Sequence, residues 1–348
     1  MISPYGPGWI GGVSKFTIFL SDALRRSGIE CEVIVNKGGV RGLTTELRGP
    51  KALFTLRATA WLQRHRPQVL HAHGHWHALL PAVLYKSMHR NVKIVFTVHT
   101  PPRGASRPGS WLMKKLMARC DVVTAVSEDI VRWLSPQLPR DVRILKIHPG
   151  ATSLVGGYHQ SRRSLAIPDT SYIATFVGPF YWSEKVAGVK LLARSFHEFA
   201  RRVPESKLFV VGGGPRLHEI RSLVTDLNAG TQVELVGETE DPAPYVQACD
   251  VYTHVSYMEG LPLSLLEAML AGKAIIASRV GDIPELVKAG EFGILVENEQ
   301  EEIIAALSTL HSDPSLRDRL GKAGQQLIHD DYTWDRVAQR FLAAYNGV

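Results

Sequence analysis

Along the first 150 residues, short apolar runs rich in β-branched side chains alternate with longer stretches whose apolar positions recur at helical spacing. CEVIVN (31–36), VLHAH (69–73), VKIVFTVH (92–99), DVVTAVS (121–127) and RILKIHPG (143–150) read as buried strands. Between them, VSKFTIFLSDALRRSG (13–28), closed by Gly28, and HALLPAVLYKSMHR (77–90) read as helices. Such alternation predicts a parallel sheet with helices on both faces. The pattern restarts with SYIATFVG (171–178), KLFVVGGG (207–214), QVELVG (232–237), DVYTHVS (250–256), KAIIAS (273–278) and GILV (293–296). The polar, glycine-containing stretch 153–170 reads as a linker. The expected fold class is α/β: two Rossmann-like domains, 1–160 and 161–332, facing one another. Ligands of open α/β sheets sit beyond the carboxyl ends of the strands, so an inter-domain cleft is expected. Only Met1, Ile2 and Ser3 precede the first glycine-rich turn, PYGPGWIGG. The first strand is therefore expected to be very short or cut off by an internal start, leaving a weakened first domain.

Composition narrows the class. The 348 residues are 45% hydrophobic and 21% charged, and no apolar run reaches the ~20 residues of a membrane span. The first residues lack the basic and apolar regions of a secretory signal. Cys31, Cys120 and Cys249 are scattered, without the spacing of a disulfide framework or thiolate zinc site. A cytoplasmic protein with reduced thiols is expected. The formal charge of +7 favours a polyanionic neighbour, but no helix-turn-helix, zinc-finger or RNA-stacking pattern points to nucleic acid. In 103–120, Trp111, Leu112, Met113, Leu116 and Met117 are interleaved with Arg107, Lys114, Lys115 and Arg119. Two readings stand: an interfacial segment peripheral on the inner face of an anionic membrane, or a surface helix with its apolar side on the core.

HAHGHWHA (71–78) places histidines at every second position. In one continuous strand they would line up as metal ligands. Gly74 interrupts the strand, however, so His71 and His73 share a face while His75 and His77 fall on a turn and a helix start. No nearby carboxylate or cysteine completes a ligand set, and a metal site is not expected.

The stretch with most chemistry is SYMEGLPLSLLEAMLAGKAIIASRVGDIPELV, 256–287. A strand ends at Ser256, a loop carries Glu259, Gly260 and Leu261, and a helix begins near Pro262, where a proline's missing N–H is no loss. The free amides of such a first turn suit a diphosphate, and Gly260 lets the backbone approach it. Glu267, further along the helix, is placed to accept hydrogen bonds from a ribose diol, with Glu259 nearer a sugar.

SYMEGLPLSLLEAMLAGKAIIA resembles the E-x(7)-E motif of the retaining GT-B glycosyltransferases of family 4, with Lys273 where proline is usual. The likeness covers nearly the whole chain. GGVSKFTIFLSDALRRSGIECEVIV is similar to the family opening, which implies that Gly11 and Gly12 approach the donor diphosphate. FVVGGGP and VELVGETED resemble the loops holding the nucleotide base, implicating Gly214 and Glu238. The T-x-H ending of VKIVFTVH implies that His99 serves the donor sugar or acceptor. HAHGHWHALLPA corresponds to an acceptor-side loop, implicating His73, His75 and Trp76. YTWDRVAQRFLAAY resembles the last helix, so 333–348 should return to complete the first domain, with Trp334 as a packing anchor. One departure stands out in VGPFYWSEKVAGV (177–189). After Gly178, Pro179 occupies the usual arginine position, Lys185 falls one residue late, and Val186 replaces the glycine after it.

The resemblance implies transfer of a sugar from a UDP- or GDP-sugar to an acceptor hydroxyl with retained configuration, in lipid-linked glycan, glycolipid or polysaccharide synthesis. His99, Glu259 and Lys185 would carry the chemistry. No cofactor or metal is expected, since no D-x-D triplet occurs. The alternatives are a non-catalytic glycosyltransferase-like subunit, favoured by Pro179, and a nucleotide-sugar epimerase or hydrolase.

Overall fold

The computed structural model describes residues 1–8, 12–100 and 107–347. The chain forms two compact units, Met1–Gly150 with Thr333–Val348, and Ala151–Tyr332.

In the first unit the elements run β1 (Ile2–Tyr5), α1 (Gly12–Arg26), β2 (Ile34–Lys37), β3 (Thr45–Glu46), α2 (Lys51–His65), β4 (Val69–His73), α3 (Trp76–Met88), β5 (Lys93–Val98), α4 (Arg107–Met117), β6 (Val122–Ala125), α5 (Glu128–Leu134) and β7 (Arg143–Lys146). The seven strands are parallel, in the order β3-β2-β1-β4-β5-β6-β7. Strands such as KIVFTV are buried from the second residue on because helices cover both faces. The short β1 is central: Ile2 pairs with Ile34 on one side and Ala72 on the other, and Ile2 and Ser3 are fully buried. The strand order reverses between β1 and β4, the place where such sheets bind ligands.

Elements of the second unit are α6 (Tyr158–Ser164), β8 (Tyr172–Val177), α7 (Ser183–Ala200), β9 (Ser206–Val211), α8 (Leu217–Asp226), β10 (Val233–Gly237), α9 (Ala243–Ala248), β11 (Val251–His254), α10 (Leu263–Leu270), β12 (Ala274–Ser278), α11 (Ile283–Val287), β13 (Ile294–Val296), α12 (Gln300–Ser312) and α13 (Pro314–Asp331). Its parallel sheet has the order β10-β9-β8-β11-β12-β13, reversing between β8 and β11. A final helix, α14 (Trp334–Asn346), belongs to the first unit and packs on α1. Phe16 lies edge-on to both Trp334 and Phe341, and Arg26 pairs with Asp335 at 2.7 Å.

The structure corrects the linker expected at 153–170. Tyr158–Ser164 is helix α6, packed on α9, and Arg162 is 1% exposed. Its guanidinium donates to Asp250 Oδ2 (3.3 Å) and to the carbonyls of Pro168 (2.7 Å) and Ser171 (2.6 Å). The polarity that suggests solvent is thus a buried cation with its partners around it. The described part of 103–120 forms helix α4, one face of which packs on the core. Met113, Leu116 and Met117 are buried in the core and only Trp111 is strongly exposed among the apolar side chains. Those three side chains are covered by protein, while Trp111 stays at the surface. Among the described residues, no helix is long and apolar enough to cross a membrane.

Candidate active site

In the second unit, the loops after β8, β9, β10 and β11 converge at the carboxyl edge of the sheet. Gly178 N–H donates to Val211 O, Phe180 N–H to Gly213 O, and Gly212 N–H to Gly237 O. Gly212 and Gly214 have φ of +140° and +142°, and a Cβ at either would collide with backbone of 178–180. Glu238 is exposed just beyond β10. The glycines expected around a nucleotide therefore hold their own loops close together.

After β11, Ser256 N–H donates to Ser278 Oγ, which donates in turn to Asn298 Oδ1, while Asn298 Nδ2 donates to Ser256 O. This closed circuit anchors the loop that carries Glu259. Asp282 N–H donates to Gly260 O, and a Cβ on Gly281 would stand 2.2 Å from Glu259 O, so Gly281 is needed for the two loops to touch. Pro262 is the residue preceding α10, with φ −68° and ψ 129°, and the helix starts at Leu263. The proline thus caps the helix from outside its first turn, where the sequence had placed it. Leu261 and Pro262 are buried, and Glu267 is half-buried as the fifth residue of α10.

Glu259 is the centre of the site. Its Oε1 accepts from Lys185 Nζ at 2.9 Å and from His254 Nε2 at 3.0 Å, with all three side chains at most 10% exposed. Burial pushes the carboxyl pKa up, but His254 and Lys185 together outweigh it and bring it down to about 2. Glu259 is therefore ionised. Lys185 is the third residue of α7, and α7 reaches this position because of Gly188. A Cβ there would lie 2.4 Å from Val255 O, so only glycine lets the helix rest on the end of β11. The one-residue delay of Lys185 leaves its ammonium in the site, while Pro179 is exposed. His254 and Gly188 went unnoticed in the sequence. The signal for His254 was an imidazole ending a strand, five residues before the acidic loop.

In the first unit, His71 and His73 project from β4 on one face with ring centroids 4.1 Å apart. Tyr345 Oη and Thr97 Oγ1 engage the two nitrogens of His71 at 2.8 and 2.6 Å, which leaves neither free for a metal. His73 is fully buried and its Nδ1 lies 3.3 Å from His99 Nε2. His99 is half-buried, with Phe16 edge-on at 4.9 Å. Burial lowers the His71 and His73 imidazoles well below their ordinary range and brings His99 down to about 3, so all three are neutral. Beyond Gly74, His75 is exposed and precedes α3, and its ring stacks on His77 at 5.6 Å. Trp76 is half-buried with Lys51 Nζ 5.8 Å over its ring. The four histidines therefore form two ring pairs. Gly12 begins α1 and is exposed, with open space where a Cβ would sit. Gly11 lies outside the described residues.

Each of the two Rossmann-like units carries its chemically rich residues where the strand order reverses. Family models agree over both units: "Glycosyltransferase Family 4" matches residues 10–151 and "Glycosyl transferases group 1" matches 158–327. The chain belongs to glycosyltransferase family 4 and has the GT-B fold. It is 24% identical over 294 residues to N-acetyl-alpha-D-glucosaminyl L-malate synthase of Bacillus anthracis, covering 82% of this chain and 76% of that one. It is 23% identical to the lipopolysaccharide core biosynthesis glycosyltransferase LpsE of Rhizobium meliloti, covering 95% of each. Anabaena Alr3699/HepE, solved with UDP and glucose, superposes with a TM-score of 0.82 over 100% of both chains at 18% identity.

Proposed function

We propose that this glycosyltransferase takes a UDP- or GDP-sugar and transfers the sugar to an acceptor hydroxyl with the anomeric configuration retained. The observation that carries this reading is the buried Lys185–Glu259–His254 cluster, next to the loop that leads into α10. A departing nucleoside diphosphate gains negative charge, and a preorganised cation stabilises it most where water is excluded. Lys185 has further N–H groups beyond the one given to Glu259. It serves the diphosphate, together with the first amides of α10. Glu259, ionised and oriented by two donors, accepts from hydroxyls of the donor sugar. Glu267 takes the ribose diol, and His99 serves the reacting sugar.

The supporting comparisons are a neighbour solved with UDP and glucose and a relative named for lipopolysaccharide core synthesis. A glycolipid, lipid-linked glycan or polysaccharide acceptor follows as part of the proposal. No metal is required in this scheme, because Lys185 and helix amides occupy that role. The test is nucleoside diphosphate release over a panel of UDP- and GDP-sugars, with and without chelator, followed by NMR of the product anomer. Chelator-insensitive release with a retained anomer is expected. Release that stops with chelator, or an inverted product, overturns the scheme.

A further inference from the structure

His99 rests on a polar layer built from three neighbouring strands. The register His73↔Thr97 and Thr97↔Thr124 stacks β4, β5 and β6 so that Thr124 Oγ1, Thr97 Oγ1 and His71 Nε2 form a chain of contacts at 2.7 and 2.6 Å. Tyr345 Oη closes the far side of His71. Packed between this layer and Phe16 (5.8 Å) is His73, whose ring is 4.1 Å from that of His71. Its Nδ1 meets His99 Nε2 at 3.3 Å, and its Nε2 is buried with no partner among the described residues.

Burial keeps both imidazoles neutral, so each carries one N–H. One contact between two neutral rings then couples their tautomers. If His73 Nδ1 donates, His99 Nε2 accepts and the proton of His99 sits on Nδ1. If His99 Nε2 donates, His73 carries its proton on Nε2, as a buried N–H with nothing to bond. Orphaned buried N–H groups are the rarest of unsatisfied polar atoms, which selects the first arrangement.

We propose that His73 is a positioning residue that locks His99 in the Nδ1–H tautomer, so that His99 meets its ligand as a hydrogen-bond donor. Phe16, edge-on to His99 at 4.9 Å, fixes the plane of the ring. The consequence for catalysis rests on the reading of His99 as a ligand of the donor sugar, whose hydroxyl oxygen would accept from Nδ1–H.

Two-bond nitrogen–proton NMR correlations of the intact 15N-labelled protein at neutral pH read the tautomer directly, without substrate. His99 should show a protonated Nδ1 and a bare Nε2. His73→Asn, whose carboxamide N–H stands near the position of Nδ1, should preserve that pattern. His73→Leu should mix or reverse it. A wild-type His99 protonated on Nε2 overturns the proposal, as does an unchanged tautomer in a folded His73→Leu. The kinetic arm is separate: kcat/KM for the donor should fall roughly tenfold in His73→Leu and recover in His73→Asn. Full activity of His99→Ala would remove the sugar-ligand reading while the NMR result still decides the tautomer.

Discussion

Glu259 illustrates how one carboxylate is set by its neighbours. Its pKa lies below the ordinary 4.5, at about 2, so it adds stability that is fully present above pH 4.5 and disappears as the pH falls toward 2. The difference corresponds to about 3 kcal/mol for this nearly buried group. Denaturant titrations should therefore give a constant stability gap between wild type and Glu259→Gln from neutral pH down to about 5, narrowing below 4.5. A gap that widens on acidification would contradict the ion-pair account. His254 is the residue that sequence concealed here. A lone imidazole within a buried strand has the appearance of core, and its meaning depends on a loop five residues away turning back to it. Lys185 was legible as a cation near the diphosphate loop. What placed it, the contact permitted by Gly188, is a property of helix-on-strand packing and leaves no mark in local spacing.

At the level of elements, α7 and α6 depend on single features. Gly188→Ala puts a methyl 2.4 Å from Val255 O, so α7 must shift away from β11. A destabilisation of about 1–3 kcal/mol is expected, together with loss of donor affinity because Lys185 moves with the helix. A nucleotide-induced thermal shift that is unchanged in this variant would argue against the link between α7 and the site. Arg162→Ala leaves Asp250 without its cation and the carbonyls of Pro168 and Ser171 without their donor; a cost of about 3–5 kcal/mol in chemical denaturation is expected. The strands of both sheets were readable because parallel strands buried on both faces are continuous apolar runs. Helix α6 was not, because a buried, fully surrounded guanidinium has the same sequence signature as a solvated turn.

The whole molecule is two units, one of which is completed by the last sixteen residues of the chain. Trp334, Val337 and Phe341 of α14 are nearly or fully buried in the first unit, and Tyr345 caps the histidine layer of β4. Burial of those three side chains alone contributes roughly 5 kcal/mol, comparable with the net stability of a domain of about 5–15 kcal/mol. A chain ending at Tyr332 should lose the calorimetric transition of the first unit while the second still melts cooperatively; two unaltered transitions would contradict this role of α14. Sequence resemblance indicated the returning helix, but only the structure ties it to His71.

The proposed role of Lys185, held by Glu259, is to stabilise a departing nucleoside diphosphate. It is tested most directly by the rate of nucleoside diphosphate release from the accepted sugar nucleotide by wild type and Lys185→Ala, at saturating donor. A fall in kcat of roughly 100-fold or more, with the fold intact, is the predicted result. An unchanged kcat in Lys185→Ala, or no release by wild type with any UDP- or GDP-sugar, would contradict it.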